Sequence, residues 1–201
     1  MRTDYLLYIF HDIFWISFLG TRFFMRLRRK SSPQRTEPES VVTQDKSVRF
    51  SRVLVVLHTA AFFSIYFGLA RALFVRRVVP QWFSGQRVIG AATILAATLL
   101  TCSALVCFRS WRIRAKLDKG HQLTTAGPFR FIRHPIYTGF NLLALGSAIW
   151  VPTPLMWLAA IAMAIAGDLR ARAEERLLDD AFPFAYRDYC RVTKRFLPGV
   201  Y

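Results

Sequence analysis

The residues best equipped for chemistry fall into two polar blocks separated by an apolar stretch. The first reads His121-Gln-Leu-Thr-Thr-Ala-Gly-Pro-Phe-Arg-Phe-Ile-Arg-His-Pro-Ile-Tyr-Thr-Gly139. The second begins Arg170-Ala-Arg-Ala-Glu-Glu175 and continues through Phe182, Tyr186 and Tyr189 to Lys194-Arg-Phe-Leu-Pro198. In the first block Gly127-Pro128 is a turn signal, and Pro135 suits the first helical position after a cap-like His134. Free backbone N–H groups at such a helix start attract an anion. Arg133 and His134 add donors there, so a ligand carboxylate suits the place. Tyr137 falls about one turn inside the helix, as a wall or a hydrogen-bonding group. In the second block Arg170 and Glu174 are four residues apart and share a helical face, while Arg172 and Glu175 are expected to point elsewhere. A carboxylate just inside the membrane interface is a partner for a ribose hydroxyl, an amine or a sulfonium. An arginine one turn nearer the bilayer can hold a carboxylate in two-point contact.

The two blocks meet only if the chain between them folds back. From Pro135 to Gly167 there are 33 residues without Asp, Glu, Lys or Arg. One straight helix of that length would rise about 50 Å, more than a bilayer needs. Val151-Pro-Thr-Pro154 breaks it near the middle, because proline lacks the N–H donor and disfavours helix in the residue before it. The expected element is a hairpin, about Ile136 to Trp150 and Pro154 to Gly167, with both ends on one side. Three further apolar runs have spanning length. Tyr5 to Met25 is interrupted by His11, Asp12 and Arg22, Val53 to Val75 contains His58 and Arg71, and Val88 to Phe108 carries no charge. The first run either spans or lies on the surface. The polar stretch 31–48, with Pro33 and Pro38, reads as a flexible linker without chemistry. The expected fold is all-α: a polytopic helical membrane protein with about three spans, a helical hairpin and a cytosolic C-terminal helix. Its expected parts are N-terminal spans over 1–87 and a catalytic core over 88–201.

Composition agrees with that plan. The chain of 201 residues is 54% hydrophobic yet carries a formal net charge of +16. Both are accommodated if apolar residues sit in lipid and basic residues at the membrane surface. The charge lies between apolar runs rather than along one polar face, which argues against nucleic-acid binding. Cys102, Cys107 and Cys190 lack the spacing of a disulfide framework or a zinc site, so no metal is expected. Arg26, Arg28, Arg29 and Lys30 follow the first run where a cleavage site would stand in a signal peptide, the pattern of a retained span. Lys and Arg number eight in residues 26–52, seven in 109–135 and seven in 167–201, against four in 71–87. The positive-inside bias then puts the three richer segments in the cytosol. The basic residues from Arg109 to Lys119 read as anchors for membrane lipid headgroups. His58, within a span, reads as a helix-to-helix hydrogen bond rather than a proton or ligand group.

The pattern HxLxxxGPxxxxRHPxYxG, a short hairpin, RxxxEE and an ending FxxxY…RxxP resembles the isoprenylcysteine carboxyl methyltransferase family, which belongs with the membrane phospholipid methyltransferases. The similarity covers roughly Val88 to Tyr201. It implies S-adenosyl-L-methionine as cofactor and a lipophilic small-molecule or lipid-modified substrate. By the same resemblance His121, Gln122, Leu123 and Thr124 form one strip against the cofactor, and His134, Pro135, Ile136 and Tyr137 a second. Phe129 takes a cofactor position that is usually tyrosine. Glu174 becomes the cofactor-binding acid and Arg170 the arginine that meets the substrate. Arg114 stands where some relatives have a cofactor-binding glutamine.

Methyl transfer from a sulfonium needs in-line geometry and a dry site rather than acid–base machinery, which suits a chain without a Ser-His-Asp or metal constellation. Two rival readings stay open. Sterol reductases using NADPH carry a similar RH-x-x-Y-x-G strip and a Tyr-Cys pair like Tyr189-Cys190, and a membrane scaffold could retain a degenerate pocket. The acceptor is open too: an isoprenylcysteine carboxylate, an isoprenoid acid or a phospholipid amine.

Overall fold

The computed structural model describes residues 3–30, 45–74, 82–108 and 123–201. Six α-helices account for most of them: α1 (Thr3–Lys30), α2 (Asp45–Phe74), α3 (Gln86–Cys107), α4 (Pro135–Trp150), α5 (Pro154–Ala181) and α6 (Pro183–Val192). A 3₁₀ turn, Gly127–Arg130, precedes α4. The expected all-helical membrane fold is what the chain adopts. Val53–Ala72, Gln86–Cys107 and Pro154–Ala181 are each long and apolar enough to cross a membrane.

Proline begins α4, α5 and α6, where its missing N–H costs nothing. Thr153 caps α5, its side chain accepting from the Met156 N–H at 3.3 Å. The hairpin turns at Val151 and Pro152 as expected. Its second arm does not stop at Gly167, however. No proline follows, and Leu, Arg, Ala and Glu are good helix formers, so α5 runs unbroken to Ala181. At about 1.5 Å per residue it is roughly 42 Å long, and its charged half projects past the apolar part of the bundle.

The helices alternate in direction along the sequence, so α1 and α3, which pack against each other through Phe18, Ala104 and Leu105, run parallel. Tyr8 donates to the Leu69 carbonyl at 2.9 Å, and Trp15 meets Tyr66 and Phe62. α1 therefore lies alongside α2 and not across its end. Gly68 of α2 faces Met156, and His58 faces Gly167, which pairs α2 with α5. α3 and α4 approach most closely through Gly90 and Gly146. A Cβ on Gly146 would lie 2.8 Å from the Gly90 carbonyl oxygen, so only glycine allows this backbone contact. The core draws on both halves of the chain: Leu7, Phe14, Ile65 and Leu69 pack with Ile94, Leu143, Met156 and Met163. Within it His11 contacts Tyr66 Oη at 3.0 Å and Ser147 Oγ at 2.9 Å, which satisfies a polar cluster inside the bundle.

This alternation gathers the C-terminal ends of α1, α3 and α5 and the N-terminal ends of α2 and α4 at one end of the bundle. The flanks of the three basic-rich segments share that end. The hairpin turn and the start of α3 share the other.

Candidate active site

At the basic end, a groove opens between the end of α3, the loop into α4, the charged half of α5 and α6. Phe108, Leu123, Thr124, Phe129, His134, Pro135, Ile136, Tyr137, Glu174, Tyr186 and Tyr189 are among the residues that line it. It is an open groove, with about 600 Å³ of non-atom space that includes solvent.

The loop before α4 is held by the C-terminal segment. Arg133 and His134 donate their backbone N–H groups to the carbonyls of Lys194 and Arg195 at 2.7 and 3.1 Å. Tyr189 Oη donates to the Phe129 carbonyl at 2.5 Å. No side chain caps the start of α4. Pro135 has no N–H, so the amides of Ile136 and Tyr137 are the ones left without an intrahelical acceptor, and both residues line the groove.

The two adjacent glutamates differ sharply in surroundings. Glu175 does not point away from the site. It accepts from Arg133 Nε at 3.0 Å and Arg195 Nη2 at 2.6 Å, and lies 3.3 Å from His134 Nε2. Arg195 also reaches Asp168 at 3.0 Å. Asp168 is bonded in turn by Arg172 at 2.6 Å and by Tyr201 Oη at 3.0 Å. The hydrogen bond to Glu175 holds the Arg195 guanidinium further above its ordinary pKa. Arg133 has a second commitment, donating to the Thr193 carbonyl. Arg133 and His134, expected as donors for a ligand, thus spend their side chains on Glu175.

Glu174 keeps more freedom. It accepts from Tyr137 Oη and lies 3.9 Å from Arg170 Nη2. His134 Nδ1 stands at 3.8 Å, beyond hydrogen-bonding distance. A carboxylate offers about four lone-pair sites, so acceptor capacity remains on the groove side. Arg170 stacks its guanidinium over the Tyr137 ring at 5.1 Å from the centroid, and its side chain is only 13% exposed. It sits one helical turn towards the apolar part of α5 from Glu174.

Leu123, Thr124, Phe129, His134, Pro135, Ile136, Tyr137 and Glu174 are thus brought to one groove, with Arg170 beside it. His121, Gln122 and Arg114 lie outside the described residues. Sequence reasoning passed over Phe108, Tyr186 and Tyr189 as lining residues, and Glu175 and Arg195 as the ion-pair centre. The FxxxY…RxxP ending marked Tyr186 and Arg195 without indicating a role. Burial pushes the phenols of Tyr186 and Tyr189 up from their usual pKa, so both stay protonated. The Tyr186 hydroxyl is buried beside the Cys190 thiol.

Fold and groove define a polytopic helical membrane protein with a largely apolar groove where the spans reach their charged ends. Within that class the chain belongs to the phospholipid methyltransferase family, whose model matches residues 85–184, from the start of α3 into α6. This is a membrane methyltransferase family. No curated protein matches the chain.

Proposed function

We propose that this protein transfers a methyl group from S-adenosyl-L-methionine to the carboxylate of a lipophilic acceptor of isoprenylcysteine type, in a site facing the cytosol. The groove's donor set suits the cofactor. The Ile136 and Tyr137 amides suit its carboxylate, Glu174 suits an ammonium or ribose hydroxyl, and Phe108 and Phe129 offer apolar walls. Leu123, Thr124, Phe129, His134, Pro135, Ile136, Tyr137 and Glu174 are the residues assigned to hold it, with His121 and Gln122 from the preceding segment. When bound, the cofactor supplies an electrophilic methyl group on a sulfonium.

The placement of Arg170 carries the carboxylate reading. Its guanidinium is packed on Tyr137 and set towards the apolar part of α5, where a lipid-borne acid entering from the bilayer presents its headgroup. A planar guanidinium matches a carboxylate in two-point contact. A carboxylate oxygen is nucleophilic without losing a proton, so orientation and exclusion of water are the main demands. The family description favours a second reading, a phospholipid amine as acceptor.

Purified protein titrated with S-adenosyl-L-methionine and with NADPH, then assayed with isoprenylcysteine acids and with phosphatidylethanolamine, tests the proposal. Binding of the first cofactor and methyl esterification of the acids are expected. Preference for NADPH would remove the methyl-transfer reading, and methylation of the amine alone would remove the carboxylate.

A further inference from the structure

The segment after α6 comes to rest at a depth that α5 defines. Leu158, Ile161 and Ile165 are exposed along one stripe of α5, and the uncharged stretch of that helix ends at Gly167. Helical spacing continues the stripe from Ile161 and Ile165 into Asp168 and Arg172. Where the outer stripe of a spanning helix turns from aliphatic to charged, hydrocarbon gives way to headgroups. Tyr201 sits at that boundary. Its Oη donates to Asp168 Oδ1 at 3.0 Å and accepts from Arg172 Nη2 at 2.9 Å and Arg195 Nη1 at 2.7 Å.

Residues 196–201, Phe-Leu-Pro-Gly-Val-Tyr, contain no charged side chain and fold into a small closed loop. The N–H groups of Phe196 and Leu197 both donate to the Tyr201 main-chain oxygen at 2.6 Å. Gly199 turns the chain at φ 75°, which glycine allows without strain. Phe196 is the root, buried with Tyr137 and Ala171, and its carbonyl accepts from Thr138 Oγ1 at 3.3 Å. The tip faces outward: Leu197 is 54% exposed and Val200 76%. Exposed aliphatic residues occur on any protein surface. What distinguishes these two is their depth, beside the end of the aliphatic stripe, with the hydroxyl of the loop turned inward to the ion pairs.

We infer that the loop of residues 196–201 is an interfacial anchor, with Leu197 and Val200 dipping into the leaflet at the groove end of the bundle. The partner is the lipid bilayer itself, because the loop is continuous with the lipid-facing stripe of α5. Aliphatic tips below a tyrosine at headgroup depth suit that boundary. The anchor bears on the groove. The same segment supplies the Lys194 and Arg195 carbonyls to the loop before α4, and the Arg195 side chain to Glu175. Seating residues 196–201 in lipid therefore braces α6 and that loop from the membrane side. The inference requires α5 to span and is independent of the cofactor and acceptor the groove takes.

Phospholipid nanodiscs holding one copy of the full chain test this. With Cys102, Cys107 and Cys190 changed to alanine, a nitroxide attached at Val200→Cys is read by electron paramagnetic resonance. It should be relaxed by oxygen and shielded from a water-soluble nickel complex. A nitroxide at Phe184→Cys, a position 85% exposed at the start of α6, should show the reverse. A label at 200 that meets nickel as freely as the one at 184 would overturn the anchor. So would shielding found only in discs holding two copies, which would assign the loop to a second copy of the chain. A second measurement keeps the natural cysteines. Trypsin cleavage at Arg187, Arg191 and Lys194 should run about tenfold faster in Val200→Asp than in wild type, because the transfer energy of a buried valine is lost and the cap opens more often. Val200→Met and Phe184→Asp should both match wild type. Cleavage of Val200→Asp at the wild-type rate would overturn the anchor, as would the same acceleration in Phe184→Asp.

Discussion

Glu174 and Glu175 are neighbours on α5, yet only one has acceptor capacity turned to the groove. Glu175 is saturated by Arg133, Arg195 and His134, whereas Glu174 has one short bond from Tyr137 and a longer contact to Arg170. Glu174→Gln should therefore weaken cofactor binding by about 1–3 kcal/mol with little change in melting temperature, since a charged acceptor becomes neutral. Arg170→Lys should do the opposite, leaving cofactor affinity near wild type and lowering turnover, because an ammonium cannot reproduce the planar fork. Cofactor titration and single-turnover rates on both variants check this. Equal losses of affinity would remove the division of labour. Glu175→Gln should instead act on stability. Breaking a largely buried ion pair on one side leaves cations uncompensated, and a loss of about 3 kcal/mol is expected. Thermal unfolding in detergent reads it, and an unchanged melting temperature would show that the cluster does not hold the C-terminal segment.

Among the elements, the contact of α3 with α4 is the most demanding. The helices meet at Gly90 and Gly146 at one level. At another, a Cβ on Gly139 would overlap Thr101. This close approach sets the depth at which α4 begins and hence where its uncapped amides face the groove. Gly146→Ala puts a methyl group within 2.8 Å of both the Gly90 carbonyl and Ile94 Cγ1. Overpacking of this kind costs about 1–3 kcal/mol, and the melting temperature should fall accordingly. Normal stability with normal cofactor affinity would show that the helices can part without disturbing the site. The unbroken α5 matters in the same way. Its apolar half is rooted in the bundle against α2 and α4, so the charged half reaches the groove as a rigid extension.

For the whole molecule, the alternating helix directions assign the ends. The flanks of the basic-rich segments lie together with the groove, and the start of α3 lies with the hairpin turn. In the proposed orientation, which follows the positive-inside bias, the groove faces the cytosol. A reporter fused after Tyr201 should be cytosolic, and one inserted between residues 80 and 85 should be external. Both on the same side would overturn this arrangement. The core also joins α1 and α2 to the C-terminal half through Leu7, Phe14, Ile65 and Leu69, so the N-terminal helices are part of the site's support.

Much of this could be read in the linear chain. Run length and charge determined that the protein is helical and spans a membrane, because hydrocarbon tolerates long apolar helices and little else. Proline placement determined the hairpin, since Pro152 and Pro154 cannot continue α4. The spacing of Arg170 and Glu174 determined that they share a face, and local helical geometry is enough for that. What residues far apart in sequence do to one another was decided only in three dimensions. That Glu175 turns to Arg133, His134 and Arg195 depends on the C-terminal segment folding back across the loop before α4, which no local periodicity encodes. Which buried polar groups find partners is decided in the same way. His11 meets Ser147 and Tyr66, while His58 and Asn141 converge on Gly167 with an atom each to spare. In sequence the two histidines look alike, and only the packing of α2 against α4 and α5 separates them.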